Sequence, residues 1–176
     1  MEFKISDANI ELKHLSEQMH QYPRKYAALV FLDPFGMQID SETIESLKDT
    51  RTDLWILIPT GVIINRLLDT KGVLKFSDKL VSFFGMSKKE ISDYFYKKTT
   101  QLSLFGEETV TQKRDDSINK IAELCIRRLQ TIFTYVTPKP LVLTNSKNVA
   151  IYHFAFASNN STALKIANQI IGKQQR

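Results

Sequence analysis

Apolar and polar positions along the chain predict helices and strands in an interleaved order. Residues 6–9 form a cluster of helix-capping residues, and the helix that follows has apolar positions every three or four residues until Tyr22 and Pro23 end it. Residues 26–32 and 54–58 are near-continuous apolar runs without alternation, which is typical of strands covered on both faces. The front of the chain therefore predicts α/β structure.

Helical patterns follow each of these two strands. Asp40 or Ser41 caps the first, and residues 62–68 form the second after the strand-ending sequence Pro-Thr-Gly at 59–61. Residues 77–98 predict two short helices broken at Gly85, whereas residues 99–113 show no period and predict a loop insertion.

The last third predicts a long helix, a hairpin and a final helix. Residues 115–134 carry an apolar stripe that includes Cys125, so we expect a buried hydrophobic residue there rather than a nucleophile. Residues 135–143 and 149–157 predict two strands of a hairpin, and residues 162–171 predict a closing helix. We therefore predict a partial Rossmann-like α/β sheet, mostly parallel, with a C-terminal antiparallel hairpin.

Composition limits the class of protein. The chain has 176 residues, 43% of them hydrophobic, which suits one domain with its own core. Neither a signal peptide nor an apolar run of membrane-spanning length is present, so we expect a soluble, cytoplasmic protein with no membrane partner. The single cysteine excludes an internal disulfide, and the three histidines lack metal-ligand spacing, so no metal site is predicted.

The net charge of +5 is concentrated near the C-terminus. Residues 111–176 hold 10 Lys and Arg against 3 Asp and Glu, while residues 1–110 hold 14 against 16. Clustered cations fit a nucleic-acid partner, because they release counterions from phosphates, or they form a basic surface that maintains solubility.

Two segments after predicted strands carry candidate site residues. Asp33 and the Pro34 carbonyl can accept hydrogen bonds from an amino group, Phe35 can face a ring, and Gly36 lets backbone approach a ligand. The alternative is that Asp33 only caps the loop while Phe35 plugs the sheet edge.

The second segment is the helix start after residues 59–61. Its free amide groups attract anions, and Asn65 and Arg66 are candidates for substrate or anion binding. Alternatively, both residues are the exposed face of a first helical turn.

Several separated blocks of sequence carry a family resemblance. They are FLDPFGMQIDSETIESLKDTRTDLWILIPTGVIINRLL at 31–68, LFG at 104–106, IRRL at 126–129 and LTNSKNVAIYHFAFAS at 143–158. The chain resembles the three-Cys-motif partner proteins (TcmP), a bacterial, class I methyltransferase-like family. The resemblance implies pairing with a protein that carries a three-cysteine, radical-SAM-type motif.

The resemblance also implies site roles. It makes Asp33, Pro34 and Phe35 the counterparts of the catalytic D-P-P-Y segment of amino-methyltransferases, although Phe35 replaces a proline and Gly36 the stacking ring. It gives Asp7 and Asn9 a part in binding S-adenosylmethionine.

The glycine-rich cofactor turn of such enzymes is absent from the sequence. We therefore expect residues 1–176 to be a truncated methyltransferase-like domain that neither binds S-adenosylmethionine nor acts alone, whether as a fragment, a split protein or a degenerate relative. An open sheet edge would then pair with a second copy or a partner protein. The alternative is a non-catalytic nucleic-acid-binding or assembly module that uses the basic C-terminal third.

One further segment resembles a docking peptide. Gln101, Leu102, Leu104 and Phe105 match the pentapeptide with which bacterial proteins bind the DNA-polymerase sliding clamp. The alternative is that Leu104 and Phe105 fold a long loop onto the core.

Overall fold

A computed structural model describes residues 5–34, 37–69, 72–103 and 106–174. The helices of this part of the chain are α1 (Ala8–Gln21), α2 (Ser41–Glu45), α3 (Asn65–Leu67), α4 (Ser77–Phe84), α5 (Lys88–Phe95), α6 (Ser117–Gln130) and α7 (Ser161–Gln174), with a π-helical segment, Thr60–Ile64, directly before α3. The strands are β1 (Ala28–Leu32), β2 (Thr52–Ile58), β3 (Tyr96–Ser103), β4 (Gly106–Lys113), β5 (Tyr135–Val136), β6 (Leu141–Thr144) and β7 (Ala150–Ser158).

The main sheet is mixed, so the fold belongs to the α/β class. Its strand order is β1-β2-β7-β5, and β6 also pairs with β7. Strands β1 and β2 are parallel, whereas β7 runs antiparallel to β2, β5 and β6. The predicted C-terminal hairpin is confirmed by the β6–β7 pairing. The expectation of a mostly parallel sheet is wrong, because β7 enters beside β2 from that hairpin and so runs in the opposite direction.

One face of the sheet forms the core with the helices. Val30 and Leu32 of β1 lie on this face with Leu54, Ile56 and Ile58 of β2, and all are buried. Helices α4, α5 and α6 pack over them with side chains that include Phe84, Phe95, Ile121 and Leu129. Cys125 is also buried in this cluster, and burial raises the pKa of its thiol to about 12, so the prediction of an inert buried cysteine is confirmed.

The opposite face of the sheet is covered only in part. Helix α7 buries Ala167 and Ile171 and packs against β5 and β7. At the other side of this face Leu29 is 75% exposed and Phe31 is 63% exposed. The expectation that the first strand is covered on both faces is therefore wrong. The physical reason is its position: among the described strands β1 is at the edge of the sheet, whereas α7 packs against β5 and β7.

Local capping signals agree with the structure. Asp7 caps α1, because its carboxylate accepts a hydrogen bond from the Asn9 amide at 2.7 Å. Ser87 and Glu90 form a capping box at the start of α5. Gly85 separates α4 from α5 with a left-handed φ of 61°, a conformation that glycine adopts without steric cost.

Two segments differ from their predicted structure. The loop expected at residues 99–113 is wrong, because residues 96–103 and 106–113 are the paired antiparallel strands β3 and β4. Among the described strands these two pair with each other and with no third strand, so their sequence needs no apolar alternation and gives no periodic signal. The single strand expected at residues 135–143 is split into β5 and β6, since Pro138 and Pro140 lack the amide groups that a continuous ladder requires.

None of the helices in the described ranges is long and apolar enough to cross a lipid bilayer. Residues 1–4 lie outside the described residues.

Candidate functional site

The carboxyl end of β1 places Asp33 at the surface. Asp33 is exposed, and within the described ranges no hydrogen bond or ion pair engages its carboxylate. Pro34 is buried, and its carbonyl accepts a hydrogen bond from the Met37 amide at 3.2 Å. Phe35 and Gly36 lie outside the described residues. Asp33 is thus free to accept a ligand hydrogen bond, while the Pro34 carbonyl already closes the turn.

Asn9 ties the start of α1 to the loop after β1. Its side-chain amide donates to the Gln38 carbonyl at 2.7 Å, and its side-chain oxygen accepts from the Asp40 amide at 2.9 Å. Both polar atoms of the side chain therefore have structural partners. The structure brings the two predicted cofactor residues, Asp7 and Asn9, to the carboxyl end of β1, where Asn9 holds the backbone in place.

A surface concavity lies beside this loop. Its volume is about 570 Å³, and Asp7, Asp40 and Asp78 contribute carboxylates while Lys79 contributes a cation. Ser82 donates a hydrogen bond to the Asp40 carboxylate. Asp78 is paired with Lys88 Nζ at 2.9 Å, so Asp7 and Asp40 against Lys79 leave one net negative charge, which favours an amino or amide donor over a phosphate.

The two residues predicted to bind S-adenosylmethionine make hydrogen bonds within the protein. Asp7 caps a helix, and Asn9 has no polar side-chain atom left for a ligand. Among the residues that the structure describes, no group of three or more His, Cys, Asp and Glu side chains is arranged to hold a metal ion.

The segment after β2 is packed against protein backbone at one point. Thr60 is fully buried, and a Cβ added to Gly61 would lie 2.1 Å from the Ala150 carbonyl oxygen at the start of β7. The anion site expected at the free amide groups of this helix start stays a prediction. The glycine is needed for close approach to protein backbone rather than to a ligand.

Asn65 has an internal role. Its side-chain oxygen accepts hydrogen bonds from Lys113 Nζ and from Ser117 Oγ, both at 2.6 Å. Lys113 also donates to the Leu68 carbonyl at 2.9 Å, and burial lowers the pKa of its amine. Arg66 is exposed and has no ion pair in the described ranges. No hydrogen bond joins Asn65 or Arg66 to Asp33 there.

Several cations of the basic C-terminal third pair with other parts of the protein. Arg128 lies 2.6 Å from a Glu45 carboxylate oxygen, and Arg114 donates to the Tyr96 carbonyl. The exposed lysines that remain are spread over the segment before β6, the β6–β7 turn and α7; they are Lys139, Lys147, Lys165 and Lys173. Fewer cations are thus available to a nucleic acid than the sequence count suggests.

The sliding-clamp segment lies partly outside the described residues, because Leu104 and Phe105 fall in a gap. The backbone of Gln101 and Leu102 belongs to β3, where these residues pair with Glu108 and Glu107 of β4. The segment therefore starts in a paired strand rather than in the loop that the docking hypothesis assumed.

A buried polar pair at the end of β2 was not found by sequence reasoning. His153 of β7 is 3% exposed and pairs with Ile58, the last residue of β2. Its Nδ1 lies 2.9 Å from the Thr60 hydroxyl. The only signal in the sequence is a histidine at a core-facing position of a strand, and that pattern does not reveal which polar group it meets.

Comparison of the chain with protein-family models, with curated proteins and with solved structures found no match in any of the three. The resemblance to the three-Cys-motif partner proteins therefore stays a prediction.

Proposed function

We propose that this chain is a methyltransferase-related module, of the three-Cys-motif partner type, that works only in an assembly. In this proposal another polypeptide segment pairs with β1 and supplies the S-adenosylmethionine-binding part that the described residues lack. The observation that carries the proposal is the edge strand: Leu29 and Phe31 are exposed beside Trp55 and Phe154 of the same sheet face.

The order and direction of the strands support the proposed relation to class I methyltransferases, which have a Rossmann-like sheet. Two parallel strands, β1 and β2, lie next to an antiparallel β7 that belongs to a terminal hairpin. That is the arrangement expected for the second half of a class I methyltransferase sheet. Parallel strands are normally covered on both faces, so an exposed parallel edge strand favours a missing neighbour.

The exposed apolar row indicates what kind of partner fits. Phe31 and Phe154 have ring centroids 5.7 Å apart, and Trp55 stacks on Phe154 at 4.8 Å. A neighbour that adds a parallel strand to β1 and an apolar helix over this row would bury both Leu29 and Phe31. The family pairing makes a protein with the three-cysteine motif the first partner to test.

The carboxyl end of β1 supports an amino group as the substrate feature. Asp33 is exposed without a partner in the described ranges, and the neighbouring concavity is acidic through Asp7 and Asp40. A carboxylate accepts hydrogen bonds from an amino group. An ionised phosphate group has no hydrogen to donate to it. We propose that Asp33 holds the substrate amino group in the completed assembly.

Calorimetry with S-adenosylmethionine tests whether the chain needs the partner segment in order to bind the cofactor. We expect no binding heat with the chain alone, and binding once the partner is present. Micromolar affinity for the chain alone would contradict the proposal. A Phe31→Glu variant should lose the partner, whereas Ile170→Glu on α7 provides a control at another exposed apolar position.

A second measurement concerns the substrate end. Asp33→Ala should abolish amino-group methylation by the assembly and leave nucleic-acid affinity unchanged, because the exposed cations lie on other elements. Unaltered turnover would remove Asp33 from the site. If the non-catalytic alternative holds instead, DNA affinity should fall steeply with salt while no methyl transfer is detected.

A further inference from the structure

A pocket of about 470 Å³ lies between α6, the segment before β6, and strand β7. It is separate from the acidic concavity at the end of β1. Its apolar lining consists of Ala122, Ile126, Pro138, Pro140 and Val142. Pockets of about 300–1,000 Å³ with mostly apolar walls and a few polar groups are typical of small-molecule sites. Proline rings and aliphatic side chains provide apolar contacts against which the face of a planar ring can pack.

His153 is the buried polar residue of this pocket. It lines the pocket, and only 3% of its surface is exposed. Its Nδ1 meets the buried Thr60 hydroxyl at 2.9 Å. The distance allows either direction. If Nδ1 donated, the proton of the buried Thr60 hydroxyl would have no acceptor among the described residues, so we infer that Thr60 donates to Nδ1.

This hydrogen bond determines which ring nitrogen carries the proton. An imidazole whose Nδ1 accepts a hydrogen bond is protonated at Nε2. Burial lowers the pKa of His153, which keeps the ring neutral near pH 7. The Nε2–H group has no protein acceptor in the described ranges and is left to donate to a molecule in the pocket.

The charged residues around the pocket favour an anion. Lys139 is exposed and has no ion pair within the described residues. Arg127 lies 3.6 Å from a Glu123 carboxylate oxygen, so these two charges offset each other. The lining therefore has one uncompensated positive charge at its edge and a neutral donor at its base.

We propose that this pocket binds a small ligand with a flat apolar ring and a carboxylate group. The ring packs on Pro138, Pro140 and Ile126, and the carboxylate accepts a hydrogen bond from His153 Nε2 and attracts Lys139. The inference does not depend on the proposed methyltransferase relation, since the pocket is lined by residues from other parts of the fold.

Titration with benzoate, followed by amide chemical shifts in two-dimensional NMR, tests the ligand class. We expect saturable shifts at Ala122, Val142 and His153. Benzyl alcohol and benzylamine, which keep the ring but lack the carboxylate, should bind at least about tenfold more weakly, the loss expected when one charge-assisted hydrogen bond is removed. Equal affinity for all three probes, or no saturable shift with benzoate, would overturn the proposal.

Variants of the polar and apolar walls test the location. His153→Phe keeps an aromatic ring, slightly larger than imidazole, but removes the donor, and it should weaken benzoate binding about tenfold. Val142→Trp should fill the pocket and abolish binding, whereas Val149→Trp, at a similarly exposed valine in the turn before β7, should not change it. If His153→Phe fails to fold, the two tryptophan variants still test the location of the site. Equal benzoate binding by Val142→Trp and Val149→Trp would show that the ligand binds elsewhere and would overturn the proposal.

The tautomer has a readout of its own. Long-range proton–nitrogen NMR spectra of His153 should show the proton on Nε2 in the free protein. Thr60→Val removes the hydroxyl that selects this tautomer, so it should mix the two tautomers and weaken benzoate binding by a smaller factor than His153→Phe. A proton on Nδ1 in the wild-type protein would contradict the assigned donor and overturn the proposal.

Discussion

Strands β1 and β2 run side by side in the same direction, yet they end in different surroundings. Strand β1 is at the sheet edge, leaves Leu29 and Phe31 exposed and ends in the exposed Asp33. Strand β2 lies between β1 and β7, and it ends in the buried Thr60 and its partner His153. An apolar strand sequence therefore does not reveal whether the strand lies in the centre or at the edge of a sheet. Central and edge strands both bury at least one face.

The largest expected effect contrasts a central leucine with an edge leucine. Leu54 of β2 is fully buried, so Leu54→Ala should lower the free energy of unfolding by about 3 kcal/mol through lost burial and a cavity. Leu29→Ala on β1 should change it by only about 0.5 kcal/mol. Urea unfolding of both variants measures the contrast. A similar loss in both would show that the β1 face is covered in solution, for example by a second copy.

The next effect concerns the segment after β2. Gly61→Ala should lower the free energy of unfolding by about 2–3 kcal/mol, because its Cβ would meet the Ala150 carbonyl oxygen at 2.1 Å. Gly172→Ala in α7 is the matched control: no atom lies within 4 Å of the new Cβ, and the change should raise helix stability by about 0.5–1 kcal/mol. Equal effects in thermal unfolding would contradict the tight packing after β2.

A smaller effect is the pH dependence that His153 adds. Burial lowers its pKa in the folded protein below 6.5, so the unfolded chain binds more protons as the pH falls through 6.5. The contribution of the neutral His153 ring to the free energy of unfolding is complete above pH 6.5. It is lost as the pH falls toward the pKa of His153 in the folded protein. Urea midpoints at pH 7.5 and 5.5 should differ less for His153→Phe than for the wild type. His14→Gln, at an exposed histidine, should keep the wild-type difference.

The smallest expected effect on stability is at the open edge. Phe31→Glu should change the free energy of unfolding by no more than about 1 kcal/mol, since the side chain is largely exposed and contacts Phe154 from one side. It should, however, reduce the fluorescence of a dye that binds exposed apolar surface. Unchanged dye binding would mean that the Leu29 and Phe31 surface is already covered.

Local signals predicted much of the secondary structure. Asp7, the Ser87–Glu90 capping box and Gly85 act within a few residues of sequence, so their effects could be predicted from neighbouring positions. The β3–β4 pair could not, since its two strands stabilise each other rather than the core. The Pro-Thr-Gly segment has the same sequence whether Gly61 lies against a ligand or against protein backbone, and only the position of Ala150 decides between the two.

The candidate site shows the same limit. The sequence predicted that Asp33 follows a strand, and β1 confirms it, whereas only the structure shows that Asp7 lies at the loop after β1. It did not predict that Asn9 and Asn65 have internal hydrogen-bond partners, because those partners are 29 to 52 residues away in sequence. For the same reason the Thr60–His153 pair, 93 residues apart, could not be predicted.

By itself, the sequence determined the positions of most helices, the two parallel strands, the C-terminal hairpin and the burial of Cys125. These features depend on periodicity and on capping residues that act over a few positions. Only the tertiary structure decided that β1 is the edge strand, that the segment after β2 packs against the start of β7 and that His153 meets Thr60. Those outcomes depend on which strands become neighbours, and neighbours in a sheet are brought together by the packing of the whole chain.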